Sequence, residues 1–580
     1  MNESNVTMEQ NGNESLEGPK KVLKRKSTYI GTKLQNFHES IGDLTKAHSK
    51  RIEHGLKIFF FSFVTAHFAW ATAFYIQDGQ YHYDSFGDTM CTGYGFSMLL
   101  YIFTVIFASY KWLLKPFIVT PIGNYIVKPI LVLLRRIFSN KILKAIGYLA
   151  ILAAALIYLI IDTGNDSDRS RLIPVAGLCV FLLFGYVFSK YPGQVRWTTI
   201  IWGMIVQFCF GLLTIRWEVG RNIFKCLGDK VVAFLEYAQL GSAFVYGDKL
   251  VFEMGVFAFK ALATIYFLNF IINILYHYGI MQSLILSIGR VLQKVLGTSI
   301  CESVNGAANL FLGQSEAPLL LKPYLKDLTT SEFHTIVTSG FASTSGTVFA
   351  AYISFGARPE DLITATVMAA PTALYFSKLF YPETEEIQAT KHTIKLTQSN
   401  FRSVMDAASK GASEASFIVL NIIANLIGFI AFVYWINGIL AWMGSLVGYV
   451  GEDDIWSIEI AAGYILTPIA FIMGVPWDEC QSVGKLLGIK MIVNEFAAFE
   501  LFSRMRDELS RRTQVIATFS IVGFANPGSI GLVISALSAL SPERSETVVK
   551  VVMRGYIAGT IVCLMTASMA GLLITEDMLK

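Results

Sequence analysis

Apolar residues gather into windows of about 20, separated by short polar connections, from residue 56 onward. A window of that length crosses a hydrocarbon core about 30 Å thick. Such windows fall at about 56–75, 93–112, 143–162, 171–189 and 196–215, and each predicts a membrane-spanning helix. The next segment, 221–241, reads "RNIFKCLGDKVVAFLEYAQLG" and mixes the two kinds of residue. It predicts an amphipathic helix lying in the interface. A long span at about 248–278 follows. Then the pattern changes. In 295–380 and again in 462–570 the apolar segments are short and interrupted by Gly, Pro and polar residues. A polar stretch, 382–410, and a long apolar helix at about 415–443 separate these two zones.

The two zones resemble each other. "SGFASTSGTVFAAYISFGARPEDLITA" begins at Ser339 and "VGFANPGSIGLVISALSALSPERSETV" at Val522. Aligned without gaps at an offset of 183, they share Gly340/Gly523, Phe341/Phe524, Ala342/Ala525, Pro359/Pro542 and Glu360/Glu543. Five identities in one frame, each set around a small, polar, helix-breaking centre, argue for an internal repeat. Broken helices survive at membrane depth only where they are buried in protein or line a wet cavity. Paired in two halves, they are the sequence mark of a transporter's central site.

Composition fits a polytopic membrane chain: 53% of the 580 residues are hydrophobic and 16% are charged. The placement of charge adds an orientation. The connection 76–92 holds Asp78, Asp84 and Asp88 and no Lys or Arg, whereas 111–144 holds Lys111, Lys115, Lys128, Arg135, Arg136, Lys141 and Lys144. By the positive-inside rule the N-terminus is cytoplasmic. The basic run "KKVLKRK", residues 20–26, then belongs to a cytoplasmic tail, and the sequons at Asn2, Asn5 and Asn13 stay unglycosylated. No apolar signal-peptide core follows the start, so the first span is expected to serve as signal and anchor together. The seven cysteines show no C-x-x-C or Cys/His spacing and read as small buried hydrophobes, with neither a disulfide framework nor a zinc site.

The chemistry concentrates at the interruptions. "ESVNGAANLFLGQSEAPLLLKPYL" predicts a re-entrant hairpin of two short helices meeting at Gly313, Gln314, Ser315 and Glu316. A carboxylate at bilayer depth costs about 2.5–3.5 kcal/mol, so Glu316 should face a cavity or a partner. "NEF", residues 494–496, supplies a second such acid, Glu495, and "GFANPGSIG" supplies Asn526 and Ser529 around a Pro-Gly break. Two carboxylates with amide and hydroxyl neighbours, and Phe524 as an apolar face, suit a small, uncharged, polyhydroxylated molecule with a ring.

At these residues the chain resembles the concentrative nucleoside transporters, through "GQSEAPLLLKPYL", "AAYISFG", "KLFYPETEE", "NEFAAFE" and "GFANPGSIG" in that order. The resemblance covers roughly residue 165 to the end. It implies an all-α polytopic membrane protein of about 11 transmembrane helices plus two re-entrant helical hairpins, with an inverted internal repeat, broken helices and a homotrimeric assembly. It implies Na⁺ symport of nucleosides such as uridine and adenosine into the cell by an elevator motion, across the lipid bilayer of the plasma membrane, with the C-terminus extracellular. By the same resemblance Gln314, Ser315 and Glu316 face the base with Val348 and Phe524 packing near it, and Glu495, Asn526 and Ser529 hold the ribose. Gly313, Gln314, Thr347 and Val348 bear on base selectivity, read as broad with some purine bias. The Na⁺ ligands implied are the Asn309 side chain, the Leu312 carbonyl, the Ser343 hydroxyl and the Thr344 carbonyl, all oxygens as a hard cation requires.

The organisation expected is a cytoplasmic tail (1–55), three additional N-terminal spans (56–165) and scaffold helices with the interfacial helix (166–290). A first transport-domain repeat (291–381), a polar connection with a long scaffold helix (382–445), a second repeat (446–575) and a short tail (576–580) complete it. No Walker loop, H-E-x-x-H or G-x-S-x-G occurs, which argues against an enzyme, and no nucleic-acid polymer is an expected partner. H⁺-coupled nucleoside symport stays open beside Na⁺ coupling, as does, in a different class, a ligand-gated channel or receptor using the same pocket.

Overall fold

The computed structural model describes residues 49–77, 93–109, 169–388, 401–449 and 456–575, with a few single positions besides. The basic run, the three sequons, most of the expected span at 143–162 and most of the connections around it lie outside the described residues. The chain divides into two units, 1–131 and 132–580.

The described part of the first unit is two helices, α1 (Ser49–Gln77) and α2 (Gly93–Ser109). Thr72 and Tyr94 are hydrogen-bonded at 2.8 Å, and Phe68 stacks on Tyr101 with ring centroids 4.3 Å apart.

The second unit begins with α3 (Ile173–Val187), α4 (Trp197–Gly211) and α5 (Glu218–Tyr246). The segment read as amphipathic is thus helical, and the helix is longer than its sequence limits of 221–241. The expected span at 248–278 is shorter than expected. Gly247 and Gly255 take positive φ, Lys249–Glu253 forms a π-turn, and only Phe257–His277 is long and apolar enough to cross, with its main helix at α6 (Thr264–His277). Helix α7 (Ile280–Leu296) leads into the first repeat.

The stretch expected as that repeat, 291–381, holds α8 (Ile300–Ala308), α9 (Thr330–Ala342), α10 (Phe349–Ser354) and α11 (Pro359–Phe380). The hairpin differs from two α-helices meeting at four residues. Its second limb, Ala317–Asp327, is 3-10; Pro318 stands in its first turn and Pro323 inside it, where the ring removes an N–H and clashes with the i→i−4 pattern of an α-helix. The long helix α12 (Val404–Leu446) begins inside the stretch read as polar, because Ser403 caps it by accepting from the Asp406 N–H.

The stretch expected as the second repeat, 446–575, holds α13 (Ile458–Ile472), α14 (Cys480–Ile492), α15 (Glu495–Met505), α16 (Arg511–Ile521) and α17 (Pro527–Leu540). Helix α18 (Ser545–Leu573) ends the described chain. Seven stretches among the described residues are long and apolar enough to span a membrane. They fall into two kinds. The apolar windows of Thr330–Ser354, Pro359–Phe380 and Pro542–Leu573 are 89% buried within the chain, so these helices form its middle. That of Val404–Leu446 is 11% buried, which leaves its sides for lipid or for another protein surface.

Ion pairs pin the middle. Reciprocal caps close the starts of α8 (Ser299 with Glu302) and α9 (Thr329 with Glu332), satisfying N–H groups that lipid cannot. Buried Lys378, near the end of α11, bonds Glu302, Glu383 (3.1 Å) and Ser331 (2.8 Å), tying both capped ends to a third helix. The cysteines differ in part from their expected reading. Cys226 is disulfide-bonded, and the free thiols Cys179 and Cys209 are exposed, while Cys301, Cys480 and Cys563 are buried as expected.

Candidate functional site

Each repeat interrupts its helices twice, and the interruptions meet. Helix α9 stops at Ala342, the backbone runs extended through Ser343–Ser345, and α10 resumes after a short 3-10 turn. Helix α16 stops at Ile521, and α17 resumes at Pro527 behind the cap Asn526. The Phe524 N–H donates to the Ser343 carbonyl at 3.1 Å, joining the two unwound segments directly. Close packing also accounts for the two aligned glycines, Gly523 at this contact and Gly340 against the hairpin tip. A Cβ on Gly523 would come within 2.8 Å of the Phe341 carbonyl oxygen and 2.5 Å of Cys563 Sγ, and one on Gly340 within 3.0 Å of Gln314 Cβ.

Around this junction opens a cleft of about 720 Å³, within the range of small-molecule sites. Gln314, Ser315, Glu316, Val348, Glu495, Phe524, Asn526 and Ser529 all line it, as do Gly313 and Thr347. The residues read as facing a substrate or bearing on its selection therefore share one cavity. Asn309, Leu312, Ser343 and Thr344 do not line it. They are buried behind its wall.

Local hydrogen bonds set the polar groups. Asn526 Nδ2 donates to Glu495 Oε2 at 2.6 Å, and Asn526 Oδ1 accepts from the Ser529 N–H at 2.8 Å. One amide thus caps α17 and holds a carboxylate from the other limb of its repeat. Asn494 caps α15 by accepting from the Ala497 N–H at 2.9 Å, which starts that helix at Glu495. Glu316 Oε2 accepts from the Gly313 N–H at 3.2 Å, closing the hairpin tip on itself. Tyr352, fully buried, stacks on Phe499 at 4.5 Å and ties α10 to α15. Lys490, also buried, donates to the Ser520 carbonyl at 2.8 Å and ties α14 to α16.

Behind the wall, Asn309 Oδ1 is buried and has no hydrogen-bond partner among the described residues, while its Nδ2 donates to Ser339 Oγ at 3.0 Å. Ser343 Oγ donates its proton to the Ser339 carbonyl at 2.7 Å, which leaves oxygen lone pairs to accept. An amide oxygen and a hydroxyl oxygen that both adjoin Ser339 are hard donors, the kind a small hard cation takes. Among the described residues no cluster of His, Cys, Asp and Glu offers a softer metal site.

Reading the sequence missed one wall of the cleft. Phe417, Asn421, Asn425 and Phe429, four residues apart along α12, face the cavity. The two asparagines carried the signal, since polar side chains in a long apolar helix need a reason. Asn421 Nδ2 donates to the Phe417 carbonyl at 2.9 Å.

Paired interrupted helices closing on a polar cleft, with buried oxygens behind it, define the chain as built like a secondary transporter. It belongs to the Na⁺ dependent nucleoside transporter family. Models of that family's N- and C-terminal regions match residues 176–249 and 361–571, and a "nucleoside recognition" gate model matches 258–359. The chain is 41% identical over 454 residues to solute carrier family 28 member 3 of Eptatretus stoutii, covering 76% of this chain and 65% of that protein. It is 40% identical over 447 residues to sodium/nucleoside cotransporter 2 of Rattus norvegicus, covering 74% and 67%. The matched part thus spans about two thirds of the length of these relatives. Among solved structures it is similar to CNTnw in an inward-facing substrate-bound state, at 33% identity and a TM-score of 0.66, covering 70% of this chain and 98% of that one.

Proposed function

We propose that this chain imports nucleosides, purine and pyrimidine alike, by Na⁺ symport with an elevator-type motion, as a homotrimer in the plasma membrane. The observation that carries the reading is the junction of the two repeats. It gathers Glu316 and Gln314 of one half and Glu495, Asn526 and Ser529 of the other around one cleft. In this reading Gln314, Ser315 and Glu316 bond the edge of the base, while Val348 and Phe524 pack on its face. Glu495, with Asn526 and Ser529, accepts from and donates to the ribose hydroxyls. Na⁺ is held by Asn309 Oδ1, Ser343 Oγ and the Leu312 and Thr344 carbonyls. The cation sits on the same unwound segments that shape the cleft, so binding it stiffens the site for the nucleoside. The contrast between the deeply buried middle helices and the little-buried α12 supports a core that moves against a frame.

The driving force is adequate. A positive charge entering an interior at about −60 mV gains about 1.4 kcal/mol, or about tenfold accumulation. An approximately tenfold Na⁺ gradient supplies a similar factor. The test is radiolabelled uridine and adenosine uptake with Na⁺ replaced by choline at two pH values. Saturable uptake of both, lost in choline, is expected. Uptake that ignores Na⁺ and rises with acidity would replace the symported ion by H⁺. Non-saturating flux would point to a channel.

A further inference from the structure

We propose that Ser339, with Asn305 behind it, is the positioning residue that turns the Asn309 side-chain oxygen toward the transported cation; the inference rests on the Na⁺ reading above. Asn305 and Asn309 lie one turn apart on the same face of α8. Both amides donate to a single atom across the helix pair: Asn305 Nδ2 to Ser339 Oγ at 2.8 Å and Asn309 Nδ2 at 3.0 Å. Ser339 Oγ donates its own proton to the Ile336 carbonyl at 3.0 Å. All three side chains are at most 2% exposed.

A hydroxyl has one proton and two acceptor positions, and here all three are taken. This arrangement fixes one facing of the Asn309 amide. Turned over, its oxygen would be bonded only if Ser339 withdrew its proton from the Ile336 carbonyl and gave up one of the two bonds it accepts. Held as it is, the NH₂ is fixed on Ser339 and Oδ1 points away, buried and without a partner among the described residues. Ser339 reaches the second side-chain ligand as well, since its backbone carbonyl accepts from Ser343 Oγ at 2.7 Å. One residue thus orients both side-chain oxygens of the cation site without touching the cation. Cys301, Val304, Ala308 and Val337 around these side chains are buried and apolar, and burying polar groups there costs free energy unless they are bonded.

The test is Na⁺ activation of uridine uptake, together with the Na⁺ midpoint for thermal stabilisation of the purified protein, which needs no transport. Ser339→Ala should raise both midpoints about fivefold to tenfold, the scale of one hydrogen bond to a ligand group, with uridine KM at saturating Na⁺ unchanged within about twofold. Ser339→Thr keeps the oxygen and should stay near wild type. Asn305→Val leaves the Ser339–Asn309 bond in place and should shift the midpoints only about twofold to threefold. A Ser339→Ala curve superimposed on a Na⁺-sensitive wild type would overturn the positioning role alone. So would a Ser339→Thr protein as impaired as Ser339→Ala, since packing would then explain both. A wild type indifferent to Na⁺ would overturn the coupling and, with it, this inference.

Discussion

The two repeats meet at one cleft but complete their polar groups in different ways. In the second, the interruption is finished from within: Asn494 and Asn526 cap the helices that follow, and Asn526 holds Glu495 at 2.6 Å. In the first, Asn305 Oδ1, Asn309 Oδ1, Gln314 Oε1 and Thr338 Oγ1 are buried without a hydrogen-bond partner among the described residues. A buried acceptor left unmade costs about 1–3 kcal/mol. The second half is thus internally bonded, whereas the first keeps open acceptors. On the function proposed above, the difference is a division of labour: a preset grip for one part of the substrate, and an adjustable one in which Asn309 and Gln314 are finished by cation and base edge.

The sharpest way to break this contrast is in the preset half. Glu495→Ala should reduce uridine uptake at least about 100-fold with surface expression retained, because it leaves Asn526 Nδ2 without its charged acceptor and removes the proposed ribose contact. Near-normal uptake in that protein would remove Glu495 from the substrate. Next is the junction itself. Gly523→Ala drives a methyl to 2.8 Å from the Phe341 carbonyl, and overpacking of this kind costs about 1–3 kcal/mol. A lowered Tm of the purified protein and about tenfold less uptake are expected; an unaltered Tm would mean that the two segments part easily.

The adjustable half should respond differently. Asn309→Ala is expected to raise the Na⁺ concentration for half-maximal uptake about tenfold while leaving maximal uptake largely intact. An unchanged activation curve would take Asn309 out of the cation site. The smallest effect belongs to Gly340→Ala, whose Cβ would press on Gln314 Cβ at 3.0 Å, a contact relieved if the hairpin tip gives by a few tenths of an ångström. It should change the ratio of adenosine to uridine uptake about twofold to threefold, as a small displacement in a binding pocket does. A fixed ratio would place Gln314 away from the base.

What was legible in the sequence follows from the same physics. The residues proposed to touch substrate were readable because each sits where a Gly, Pro or polar residue interrupts an apolar run, and such interruptions at membrane depth must face something wet. Gly340 and Gly523 stood out as aligned partners; Gly523 packs across the junction against the Phe341 and Ala342 carbonyls, whereas Gly340 packs on Gln314 of its own half. Asn421 and Asn425 were missed because α12 is otherwise a continuous apolar helix, and an i, i+4 pair of amides is a faint mark within it. The Asn305–Ser339 lock was missed because it joins residues 34 apart, so no local pattern reveals it. The limits of the helices near 255 and 404 were misjudged where a positive-φ glycine and a serine cap, rather than hydropathy, decide them.

The central claim is that cation and nucleoside complete one site between them. It is tested most directly by equilibrium binding of uridine to the purified protein in Na⁺ and in choline, with the reciprocal Na⁺ titration at zero and saturating uridine. Linkage requires the two effects to be the same factor. The account predicts uridine binding at least about tenfold tighter in Na⁺, and Na⁺ binding tightened equally by uridine. Uridine affinity that is the same in both media would contradict it.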